Sequence, residues 1–96
     1  MKIVTNQPQL KIDDELKEIC REIESENRTD EEWIGYESCD QFQSNSYCGG
    51  YDAIEGEFLF SYYDNAGKEW WFGFNLFDVP RILGGELQYL DLNEPL

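Results

Sequence analysis

Histidine is absent from these 96 residues, and cations are scarce: seven Lys and Arg stand against twenty-one Asp and Glu, a formal net charge of −14. Without histidine, a cysteine nucleophile lacks its usual activating base, and a zinc site lacks one of its two main ligand types. The three cysteines, Cys20, Cys39 and Cys48, are an odd count with no Cys-x-x-Cys among them. That argues against a disulfide framework and against structural zinc, and leaves them as small buried or half-buried hydrophobes. Long apolar runs are missing too; a stretch such as Trp70-Trp71-Phe72 is far too short to span a bilayer. The opening MKIVTNQPQLKIDD lacks the apolar core of a signal peptide, so a cytoplasmic location is expected. So negative a chain repels phosphate, and direct nucleic-acid binding is not expected. Neither is an enzyme: acids this numerous always offer some pair that looks placed for acid–base chemistry. No metal or cofactor is implied.

What is present points to a folded object. Hydrophobic content of 41% and aromatic content of 16% argue against disorder. The length fits a single small acidic domain over residues 1–96. Leu16, Ile19, Cys20 and Ile23 recur at i, i+3, i+4 and i+7, which predicts an amphipathic helix over 14–27 with Asp13 or Asp14 as its cap. Glu18, Glu22 and Glu26 on its outer faces repel one another at i, i+4, so this helix must gain stability by docking its apolar stripe. Thr29-Asp30-Glu31-Glu32 reads as a capping box. Trp33, Tyr36 and Cys39 could extend a short helix there, against the cost of Gly35. Residues 40–50 are rich in Gln, Ser, Asn and Gly, and read as a loop or a poor edge strand.

Nine of the fifteen aromatic residues lie between Glu57 and Phe77. Asn65-Ala66-Gly67 suits a three-residue hairpin loop with glycine in the left-handed position. That loop sets opposed residue numbers to sum to 132 in a 54–63/69–78 hairpin. Tyr62, Phe60 and Phe58 then face Trp70, Phe72 and Phe74, with Gly56 opposite Leu76, on one apolar side. The other side pairs Tyr63 with Glu69, Ser61 with Trp71, Leu59 with Gly73, Glu57 with Asn75 and Glu55 with Phe77. The oxygen-rich Asp64–Glu69 stretch is accounted for by the turn without calcium, since it lacks the ligand spacing of an EF-hand loop. Asp78-Val79-Pro80 reads as a cap and first helical turn, closed by Gly84-Gly85. Alternation over 87–92 suits a short strand or an extended tail. The expected class is α+β: one main N-terminal helix on an antiparallel sheet of three to five strands.

Trp70 to Phe77 resembles part of the sheet octamer of the RNA-recognition-motif family, at Phe72, Gly73, Phe74 and Phe77. Its basic, first glycine and aliphatic positions are taken by Trp70, Trp71 and Asn75, and the family's strand and helix order is not visible. In composition alone the chain looks like small acidic inhibitors: bacteriocin immunity proteins, nuclease inhibitors and phage proteins that imitate DNA. The expected function is therefore to bind and block a basic protein, one that handles nucleic acid. Its expected contact residues are Asp30, Glu31, Glu32, Glu37, Glu55, Glu57, Tyr63, Glu69, Trp71 and Phe77, aromatics ringed by carboxylates. Two other readings stand beside it: a structural domain whose acidity serves solubility, and a small enzyme or ligand-binding domain using the 40–50 segment.

Overall fold

The computed structural model describes residues 7–34 and 41–95. Along the chain run β1 (Gln9–Lys11), α1 (Asp14–Glu26), α2 (Asp30–Ile34), β2 (Phe42–Gln43), β3 (Tyr47–Asp52), β4 (Glu57–Tyr63), β5 (Glu69–Phe74), α3 (Asp78–Leu83) and β6 (Tyr89–Asp91). Strands β2 to β5 form an antiparallel sheet in sequence order, and β1 pairs antiparallel with β6. The architecture is α+β, as expected, with the principal helix at 14–26. No helix among the described residues is long and apolar enough to cross a membrane.

Helix α1 begins where Asp13 Oδ1 accepts a hydrogen bond from the Leu16 amide at 2.9 Å. The second oxygen of the same carboxylate accepts from the Tyr47 hydroxyl at 2.9 Å, so one side chain both caps the helix and ties it to β3. Asn27 ends α1 in the left-handed conformation, at φ 51°. The capping box forms: the Glu32 amide donates to Thr29 Oγ1, and the Thr29 amide to Glu32 Oε1, both at 3.2 Å. It starts α2, which is described as far as Ile34; Tyr36, Glu37 and Cys39 lie outside the described residues.

The hairpin register is the one the turn chemistry implies: Phe58 faces Phe74, Phe60 faces Phe72, Tyr62 faces Trp70 and Tyr63 faces Glu69. Gly67 takes φ 81°, while Asp64 Oδ1 accepts from the Ala66 and Lys68 amides and Oδ2 from the Trp70 indole N–H. The Asp64 carboxylate is thus fully used by the turn. The paired stretch is shorter than 54–63/69–78, because Gly56 turns the chain at φ 70° and Asn75 starts the turn into α3. Asp78 is already helical there. Phe77 occupies the cap position without a capping side chain, and Asn75 and Asp78 exchange side-chain-to-amide hydrogen bonds of 3.0 and 3.2 Å.

All the described helices share one face of the sheet. Leu16, Ile19, Cys20 and Ile23 of α1, Trp33 of α2, and Val79 and Ile82 of α3 join Phe42, Tyr47, Phe58, Phe60, Phe72 and Phe74 in one core. The β1–β6 pair adds Leu10, Ile12, Leu90 and Leu92 to it. Phe60 stacks on both Phe72 and Phe74, at centroid separations of 5.8 and 5.6 Å, and Trp33 meets Phe58 edge-on at 5.0 Å. Of the two readings of the 40–50 segment, loop or poor edge strand, the strand holds: residues 41–50 carry the two-residue edge strand β2 and most of β3. Gly49 explains why its pattern is poor: a Cβ there would lie 2.1 Å from the Leu59 carbonyl oxygen and 2.8 Å from the Phe60 ring. A residue of low strand propensity is required where a neighbouring ring takes the space.

Candidate protein-binding face

Strand pairing places the odd-numbered residues of β4 and β5 on the side of the sheet away from the helices. Glu57, Leu59, Ser61 and Tyr63 lie there beside Glu69, Trp71 and Gly73. Strand β3 adds Cys48, Gly50 and Asp52, opposite Ser61, Leu59 and Glu57. No Lys or Arg occupies any of these positions. Tyr63 is 62% exposed; Leu59, Ser61, Trp71 and Glu57 are half-buried. Gly50 and Gly73 flank Leu59 in the middle of this outer face. The Trp71 indole N–H is buried with no hydrogen-bond partner among the described residues. Its backbone exchanges two 2.8 Å hydrogen bonds with Asn93, which closes part of the β5 edge.

Carboxylates gather at one end of the face. Glu57 reaches back across Gly73, so that a Cβ on Gly73 would come within 2.5 Å of Glu57 Oε1. Burial, reinforced by Glu55, Asp52 and Asp78 in that order, pushes the Glu57 carboxyl above the usual glutamate range. No hydrogen bond or ion pair holds it among the described residues. At the other end the Tyr63 hydroxyl donates to Glu69 Oε2 at 3.2 Å, and that carboxylate raises the tyrosine pKa.

The cations among the described residues lie elsewhere. Arg21, Arg28, Lys68 and Arg81 pair with Glu18, Glu26, Glu94 and Asp78. Lys68 also lies 4.3 Å from the centre of the Trp70 ring, on the even-numbered side. Lys11 and Lys17 line one shallow cleft with Ile12, Gly85, Leu87 and Gln88.

The expected contact residues therefore fall into separate groups. Glu57, Tyr63, Glu69 and Trp71 share the outer face, and Glu55 sits in the turn at its acidic end. Phe77 is 79% exposed but lies in the turn before α3, beyond the ladder, so it does not oppose Glu55. Asp30, Glu31 and Glu32 belong to α2, whose Trp33 packs on Phe42, Tyr51 and Phe58, so they lie on the helical side. Asp30 Oδ1 accepts from the Tyr51 hydroxyl at 3.4 Å and helps raise its pKa, behind burial as the larger cause. Glu37 is outside the described residues.

Asp52 and Gly73 were missing from the expected set. The alternation of Tyr47, Gly49 and Tyr51 with Cys48, Gly50 and Asp52 was the available clue, hidden by the two glycines. Phe72 and Phe74, which carry the resemblance to an RNA-binding sheet, are buried in the core and offer no stacking platform to bases. Cys20 is also buried, with its thiol pushed up to about 12, mainly by burial. No protein-family model, curated protein or solved structure matches the chain.

Proposed function

We propose that this chain is a stoichiometric binding protein that blocks a basic, nucleic-acid-handling protein through the outer face of its sheet. The observation that carries the reading is an outer face without a cation among the described residues: Trp71 and Leu59 lie between Asp52 and Glu57 at one end and the Tyr63–Glu69 pair at the other. An apolar centre with a charged rim is the anatomy of a protein interface, and large aromatics are its usual anchors. The remaining acids, including Asp30, Glu31 and Glu32 across the molecule, supply a long-range field and not contacts. That field speeds encounter with a basic partner, while Trp71 and its neighbours slow departure.

The test is capture of basic proteins at low and physiological salt, followed by rate measurements on the captured partner. Association is expected to slow markedly with salt, since the Debye length is then only about 8 Å. Reversing Asp30, Glu31 and Glu32 to Lys should reduce the association rate alone. Trp71→Ala should speed dissociation, at a cost of about 2 kcal/mol or more. The two effects should add, because the sites lie on opposite sides of the sheet. Salt-independent association, with the triple reversal binding as wild type does, would leave acidity with solubility as its only role.

A further inference from the structure

We infer that the outer face selects arginine over lysine in its partner, with a guanidinium lying on Trp71 and pairing with Glu57 across Gly73. The inference rests on the outer face being the partner-binding face and adds the chemistry of the group it takes. Gly73 and Trp71 are alternate residues of one strand, so their positions on this face are about 7 Å apart. The Glu57 carboxylate lies where a Gly73 side chain would be, and the half-buried Trp71 follows at the next position along the face. A carboxylate beside an indole is the pair of surfaces that a planar cation can use together. Guanidinium stacks on aromatic faces, accepts partial desolvation and donates two parallel hydrogen bonds to one carboxylate. An ammonium is a compact, strongly hydrated point charge that cannot do both.

The charge distribution of the free protein supports the same occupant. Glu57 is half-buried among Asp52, Glu55 and Asp78, without a cation or hydrogen-bond donor of its own among the described residues. Of the other carboxylates on or near this face, Glu69 accepts from Tyr63, Asp52 from the Ile54 amide, and Asp78 pairs with Arg81, while Glu55 is exposed to solvent in the turn. Glu57 is thus an acceptor that lies over Gly73 on the outer face with no partner of its own among the described residues. A bound guanidinium would supply the missing donors and offset the crowding of like charges.

Hexa-arginine and hexalysine, identical in length and charge, provide the test at physiological salt. Hexa-arginine is expected to bind several-fold more tightly. Glu57→Gln keeps the side-chain shape and should bring the ratio of affinities close to one, while Glu31→Gln should weaken both peptides equally and keep the ratio. In carboxyl-detected NMR, hexa-arginine should move the Glu57 titration to lower pH by more than hexalysine does, a difference that general attraction to a hexacation would not produce. Equal affinity for the two peptides, or a ratio that survives Glu57→Gln, overturns the selection of arginine. If that happens while a basic protein partner still associates in a salt-dependent way, the binding-protein reading stands without it. If neither peptide nor any basic protein binds even at low salt, both fail together.

Discussion

Strands β4 and β5 present two faces built from alternating residues of the same thirteen positions, and the two obey different rules. On the inner face Phe58, Phe60, Phe72 and Phe74 are buried, and each ring stacks on another. On the outer face Leu59 and Trp71 are half-buried, Tyr63 is exposed, and acids occupy both ends. The inner face gains from removing apolar area from water, at about 1.5–3 kcal/mol for each large side chain. The outer face contains a buried indole N–H without a partner and a carboxylate crowded by three others, and neither helps the fold. Stability concentrated on one side leaves the other side free to carry arrangements that folding alone would not select.

The widest separation between the faces should appear on truncation. Phe60→Ala is expected to destabilise by about 3–5 kcal/mol in urea unfolding, as large core deletions do. Its outer-face neighbour Leu59→Ala should cost well under half of that, and comparable losses would mean that both faces are core. A smaller contrast separates two glycines. Gly49→Ala drives a methyl group into backbone, at 2.1 Å from the Leu59 oxygen and 2.7 Å from the Phe60 Cα, and should cost at least about 1–3 kcal/mol. Gly73→Ala meets only the end of the flexible Glu57 side chain. It should change stability by less than about 0.5 kcal/mol, and equal losses at the two glycines would contradict this account of the sheet.

The smallest effect concerns pH. Hydrogen bonds from Ser44 and Ser46 hold Glu15 below the usual carboxylate range, and Lys68 does the same for Glu94. Their stabilisation is present above the unfolded glutamate pKa of about 4.3 and fades as pH falls through the lowered folded values. Glu57 has the opposite sign. Its raised folded pKa means that its contribution favours the fold below that range and is lost as pH rises through the raised value. Glu57→Gln should therefore raise the melting temperature at pH 7 and leave it unchanged at pH 3. Glu15→Gln should lower it at pH 7. A Glu57→Gln protein less stable than wild type at neutral pH would show that the carboxylate supports the fold.

Much of the fold could be read along the chain because its causes are local. The periodicity of Leu16, Ile19, Cys20 and Ile23, the Thr29–Glu32 box and the Asn65-Ala66-Gly67 turn each act within a few residues, and a three-residue loop leaves one register open to the strands it joins. From that register followed the aromatic core and the membership of Glu57, Tyr63, Glu69 and Trp71 in one face. Strand β3 could not be read, because Gly49 is intelligible only once Phe60 is known to lie against it, eleven residues on. The pairing of Gln9 with Asp91, and of Trp71 with Asn93, joins segments that no short-range pattern connects. Tertiary packing alone decided that Trp33 carries Asp30, Glu31 and Glu32 to the helical side, away from Trp71. It also brought Asp78 near Glu57, beside the locally placed Asp52 and Glu55. Alternation along a strand is dictated by backbone geometry and is visible in sequence, but which charges meet across a sheet depends on contacts between distant segments, and those form only as the core closes.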